Sequence, residues 1–107
     1  MREVTVRELA ARLAAGERPW IVDVRESWEH EIVALPGSVL IPLGELGERI
    51  DEARPPDGVS VVTLCHHGVR SLSAAAIVSA AGIADVASLR GGIDAWAREI
   101  APAMPRY

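Results

Sequence analysis

Cys65-His66-His67-Gly68-Val69-Arg70-Ser71 contains the chain's one cysteine and follows an apolar run from Val59 to Leu64. A small-residue helical pattern comes next, Ser71-Leu72-Ser73-Ala74-Ala75-Ala76-Ile77-Val78. A strand that ends at a cysteine, turns through a glycine and enters a helix predicts a curled loop whose amides face the sulfur. The first amides of a helix lack intrahelical partners, and its dipole adds partial positive charge there. Such a nest stabilises a thiolate, the reactive form of the side chain. Gly68 would supply the left-handed backbone of the curl, Arg70 fixed charge at the rim and Ser71 the helix N-cap. The bland alternative is a small hydrophobe closing a buried strand. That role needs neither the glycine, the arginine nor the serine, so the pattern points to nucleophilic chemistry at Cys65.

Positioning that loop requires a sheet. Thr5-Val6-Arg7-Glu8 reads as a capping box opening a helix that Gly16 closes. Trp20 to Val24 reads as a buried strand, followed by a short helix from Trp28 to Ile32, and Ser38 to Ile41 as a third short strand after the Pro36-Gly37 turn. Leu43 to about Ala53 is expected to be helical. The strand ending at Cys65 and its Ala-rich helix come next, then a strand over Asp85–Leu89 and a final helix opened by Gly91-Gly92. Apolar strands alternating with helices predict an α/β fold with a small, mainly parallel sheet covered on both faces. Ligands bind beyond the carboxyl ends of such strands, which places Asp23-Val24-Arg25 and Cys65 on one edge.

The 107 residues suit a single domain spanning 1–107, with half of them hydrophobic and 24% charged. No apolar run is long enough to cross a bilayer. The net charge of −4 and the absence of a basic block exclude general attraction to nucleic acid or an anionic membrane. One cysteine excludes an internal disulfide framework, and the N-terminus has no apolar signal segment, so a cytoplasmic monomer is expected. All 11 basic side chains are arginine, and Lys, Asn, Gln and Phe are missing. This reads as compositional bias, and an isolated arginine therefore carries little functional weight. Cys65, His66 and His67 are adjacent and have no second ligand cluster, so neither a metal nor a cofactor is expected. Trp20, Trp28 and Trp96 read as core or edge packing.

Four segments in order resemble the rhodanese family of sulfurtransferases: Asp23-Val24-Arg25-Glu26; Leu35-Pro36-Gly37-Ser38 with Ile41-Pro42-Leu43; Cys65 to Ser71; and Leu89-Arg90-Gly91-Gly92-Ile93-Asp94-Ala95-Trp96. The resemblance implies a rhodanese-like fold and a persulfide on Cys65 as covalent intermediate. Its outer sulfur would sit among the loop amides of His66, His67, Gly68, Val69, Arg70 and Ser71. Thiosulfate or a low-molecular-weight persulfide would be the donor. Cyanide in the test tube, or a thiol or sulfur-carrier protein in the cell, would be the acceptor. Arg70 would either orient the donor or clamp the loop, and both roles stay open. Asp23 and Arg25 are expected to pair and support the loop. Val33-Ala34-Leu35 replaces the family's common Gly-His-Ile, and His30 lies too far upstream to take that histidine's place. The two loop histidines stand where thiosulfate-using members often carry stronger bases, which counts against efficient thiosulfate turnover. The loop and the Leu35–Leu43 segment also resemble rhodanese modules associated with enzymes that activate ubiquitin-like sulfur carriers.

Two other classes compete. A phosphatase or arsenate reductase of similar build carries five residues between cysteine and arginine, whereas here four separate Cys65 from Arg70. The tighter ring suits one sulfur atom better than a phosphoryl group. A non-catalytic interaction module is the other alternative, and retention of Cys65 in an intact loop argues against it.

Overall fold

The apolar runs at Ile21-Val22 and Val61-Val62 form neighbouring central strands whose successive side chains enter opposite cores. Ile21 and Val62 join Leu9, Leu64, Leu89, Ile93 and Trp96 on one face. Val22 and Val61 join Val24, Ile41, Leu46, Ala74, Ala75 and Val78 on the other. The computed structural model describes residues Met1–Tyr107. Its chain order is β1 (Glu3–Val4), α1 (Val6–Ala14), β2 (Trp20–Asp23), α2 (Ser27–Ile32), β3 (Val39–Leu40), β4 (Val61–Leu64), α3 (Arg70–Ala80), β5 (Val86–Leu89) and α4 (Gly92–Glu99). The strands form one five-stranded sheet in the order β1-β5-β4-β2-β3, and every pairing is parallel. Helices α1 and α4 pack together against the first core, while α3 covers β4 and β5 on the other side.

Local chemistry explains the starts and stops. Thr5 and Glu8 exchange the two hydrogen bonds of a capping box at the head of α1. The register Asp23↔Leu64 brings the ends of β2 and β4 side by side, as the strand pattern predicted. The Leu43–Ala53 segment departs from its expected single helix. It forms two 3₁₀ turns, Leu43–Glu45 and Ile50–Ala53, with Gly44 and Gly47 weakening helix propagation between them. Leu46 nonetheless reaches the core and is fully buried. Strand β3 is shorter than the Ser38–Ile41 expectation, and the two-residue edge strand β1 carried too little pattern to foresee.

Candidate active site

Cys65 follows the last residue of β4 and is 1% exposed. Its Sγ accepts hydrogen bonds from the Gly68 amide at 3.0 Å and the Ser71 amide at 3.3 Å. The expected nest is therefore present, with two backbone donors aimed at one sulfur. Gly68 has φ +96°, and a Cβ there would stand 2.8 Å from the Gly91 amide nitrogen, so both conformation and space require glycine.

The floor of the loop is the start of α4. Gly91 and Gly92 both have positive φ, and a Cβ on Gly92 would collide with the carbonyls of Cys65 and His66. Those two carbonyls accept the Ile93 and Asp94 amides at 2.9 and 3.0 Å. The Ile93 and Asp94 amides of α4 are thus spent on holding the cysteine loop, while the Ser71 amide in the first turn of α3 and the Gly68 amide of the loop face its sulfur.

Ser71 is not the N-cap expected of it. Helix α3 begins at Arg70, with Val69 in the cap position, and Ser71 lies fully buried in the first turn. Its buried hydroxyl needs a partner and pairs with Ser88 Oγ at 2.7 Å, while Cys65 Sγ lies 3.4 Å away. Thr63 Oγ1 donates to the Ser71 carbonyl at 2.7 Å and fastens the turn from the side of the strand.

Arg70 takes the clamp geometry. Its two terminal nitrogens donate to Glu29 Oε2 and Oε1 at 2.7 and 2.9 Å, which ties α3 to α2. Glu29 is buried and also accepts from the Glu26 amide at 2.9 Å and the Tyr107 hydroxyl at 2.8 Å. The Arg70 guanidinium beside it holds the Glu29 carboxyl down at about 2, well below the usual carboxylate range.

Asp23 and Arg25 form the anticipated pair, both fully buried, with contacts of 2.9 and 2.7 Å. Arg25 also donates to the carbonyls of Glu29 and Val33 and to the Tyr107 hydroxyl, and His30 Nδ1 lies 2.9 Å from Asp23 Oδ2. No buried side-chain nitrogen or oxygen lacks a partner.

Three residues of this corner had no assigned role in the sequence reading: Glu29, His30 and Tyr107. Tyr107 stacks on His66 with ring centroids 3.9 Å apart and meets Trp28 edge-on at 5.9 Å. Trp28 is 59% exposed, so of the expected core or edge packing it takes the edge, at the surface beside the site. Trp96 is buried, and half-buried Trp20 donates its indole N–H to the Glu52 carbonyl. His67 faces outward and stacks on His66, whose burial and whose neighbour His67 push its basicity down.

The fold also assembles a grouping that the sequence reading did not contain. Ligand atoms of His66, His67 and Asp94 lie within 4.8 Å of one another. Asp94 is already paired with Arg98 at 3.0 Å and Arg106 at 3.1 Å, and two guanidiniums there oppose a cation.

A buried sulfur under two amides, backed by a fully partnered charge corner, is fit to hold a transferable anionic atom. Comparison with known proteins shows which family the chain is similar to. The model of the Rhodanese-like domain matches residues 5–99. The probable adenylyltransferase/sulfurtransferase MoeZ of Mycobacterium tuberculosis is 38% identical over 97% of this chain, which spans only 26% of MoeZ. A sulfurtransferase of Allochromatium vinosum is 34% identical, with 95% of this chain and 94% of the relative covered. The crystal structure of a rhodanese-related protein from Thermoplasma volcanium superposes with a TM-score of 0.81 at 27% identity, covering 94% of each chain. The chain belongs to the Rhodanese-like domain family, and it carries that family's fold around an intact cysteine loop.

Proposed function

We propose that this chain is a sulfurtransferase that carries sulfane sulfur as a persulfide on Cys65. The observation that carries the reading is the pair of amides, Gly68 and Ser71, aimed at the Cys65 sulfur. The Cys65 thiolate attacks the outer sulfur of the donor, and a new S–S bond forms as the donor's own S–S bond breaks. The bonding pair leaves on sulfite or on a thiolate, according to the donor. The transferred sulfur carries negative charge and is held by the amides of residues 66 to 71. An acceptor nucleophile then takes the outer sulfur and returns Cys65 to the thiolate. Asp23 and Arg25 support the loop from the neighbouring strand, and no metal or cofactor takes part.

The relatives' names support the sulfur chemistry and suggest an acceptor protein. Besides MoeZ, they include a putative sulfur carrier protein, YrkF, of Bacillus subtilis, 33% identical over 88% of this chain and half of its own length. We place the chain in the cytoplasm as a monomer, where a lone thiol stays reduced. No helix is long and apolar enough to cross a membrane.

The test is transfer to cyanide. Purified protein supplied with thiosulfate or glutathione persulfide should form thiocyanate, and Cys65→Ser should form none. Retained turnover in Cys65→Ser would contradict the covalent mechanism.

A further inference from the structure

We propose that Ser88 is a positioning residue for Cys65: its hydroxyl commits the Ser71 hydroxyl as a donor to the sulfur and so favours the ionised thiol. The inference rests on the nucleophilic role proposed for Cys65 and adds to it a residue that acts only through a second side chain.

Cys65, Ser71 and Ser88 form a buried row. Ser71 and Ser88 are both 0% exposed, and Cys65 is 1% exposed. Ser71 Oγ lies 3.4 Å from Sγ on one side and 2.7 Å from Ser88 Oγ on the other. The Ser71 hydroxyl could therefore donate in either direction. Ser88 decides between them, because its hydroxyl has no hydrogen-bond partner except Ser71. Thr63, aligned with Ser88 in the register of β4 and β5, already donates to the Ser71 carbonyl. A buried hydroxyl hydrogen without an acceptor is costly, so Ser88 donates to Ser71. The Ser71 hydrogen is then free for Sγ alone. Donation by Ser88 also polarises the Ser71 hydroxyl and strengthens its bond to a negative sulfur.

With the sulfur ionised, every hydrogen in the row has an acceptor. A neutral thiol adds a hydrogen for which the row has no place. The device serves both ends of the reaction. Sγ carries the charge before it attacks the donor, and it takes back the bonding pair when the acceptor removes the outer sulfur. The other charged and titratable groups around the sulfur are Arg70 with its partner Glu29 on α2, His66 and His67 in the loop, Asp94 on α4 and the Asp23–Arg25 pair after β2. No variant in the test alters any of them.

The experiment titrates Cys65 by the ultraviolet absorbance of its thiolate, with Cys65→Ser as the blank. It compares the wild type, Ser88→Ala, Ser88→Thr, Ser71→Ala and the double variant of both alanines. The midpoint should rise by about half a pH unit in Ser88→Ala, which is about a threefold change in ionisation. Ser71→Ala should raise it by about one unit, and adding Ser88→Ala should change nothing further. Ser88→Thr, which keeps the hydroxyl, should keep the wild-type midpoint. A Ser88→Ala midpoint equal to wild type, or a full extra rise in the double variant, would overturn the inference. So would a Ser88→Thr midpoint shifted as far as that of Ser88→Ala, since altered packing would then explain both. The two Ser88 variants decide the matter if those at Ser71 fail to fold. The titration consumes no sulfur donor. A wild type that neither thiosulfate nor glutathione persulfide loads would instead overturn the sulfurtransferase reading, with the midpoints unaffected.

Discussion

Arg25 and Arg12 sit at opposite ends of the same sheet. Arg25, just past the carboxyl end of β2, is fully buried and donates to Asp23, Tyr107 and the carbonyls of Glu29 and Val33. Arg12, near the amino ends of β2 and β4, is partly exposed and touches Ser60 and, at 3.4 Å, Glu17. An open recess of about 220 Å³ lies beside Arg12, lined also by Glu17, Arg18, Ser60 and Asp85. The cleft among Val33, His66, Asp94 and Tyr107 has no room for water. Size alone would direct attention to the wrong end. The larger recess is walled largely by solvent-exposed charges, whereas Asp23, Arg25 and Glu29 at the carboxyl end are desolvated and mutually satisfied. Organisation, not volume, marks where a reactive sulfur can be held in one geometry.

The comparison is broken most severely at Asp23. Asp23→Asn should cost about 3–5 kcal/mol in urea unfolding, because it leaves Arg25 buried without its counter-charge. A loss below about 1 kcal/mol would show that this corner is as loosely coupled as the Arg12 end. Gly92→Ala comes next. A Cβ in a left-handed residue facing the Cys65 and His66 carbonyls should cost about 2–3 kcal/mol and should slow sulfur loading. Normal loading at wild-type stability would mean that the floor of the loop is not fixed by α4.

Acid sharpens the comparison further. The folded-state value of Glu29, about 2, lies below the ordinary 4.5, so the unfolded chain binds more protons between those two values. The stability Glu29 contributes is complete above about pH 4.5 and is lost as pH falls through about 2. The stability gap between wild type and Glu29→Gln should therefore narrow from about pH 5 to pH 2.5, and a constant gap would contradict the pairing with Arg70. The smallest effect is expected at the other end of the sheet. Arg12→Ala should change stability by less than about 1 kcal/mol and leave sulfur loading unchanged.

What could be read from the sequence was what has a local signature. The strand, Cys65, Gly68 and the Ala-rich helix are contiguous, and the loop they predict is present. Asp23 and Arg25 are two residues apart, close enough to foresee their pairing. Glu29, His30 and Tyr107 escaped because their partners are set by helix packing and by a distant part of the chain: Tyr107 meets Arg25 across 82 positions. One signal was available for Glu29, which stands four residues after Arg25 and turns inward on α2. The serine at the head of α3 looked like a cap because caps are serine's commonest use at that point. Nothing local shows that Ser88, on the neighbouring strand, would claim its hydroxyl. The misread Leu43–Ala53 segment shows the converse, a helical spacing of Leu46 and Ile50 that two glycines keep from becoming a helix.

The central claim, that Cys65 is a sulfur carrier within a preorganised nest, is tested most directly by intact mass. Protein treated with glutathione persulfide should gain one sulfur atom at Cys65, lose it on addition of cyanide, and show no gain in Cys65→Ser. A wild-type mass unchanged by both glutathione persulfide and thiosulfate, in a folded protein, would contradict the account.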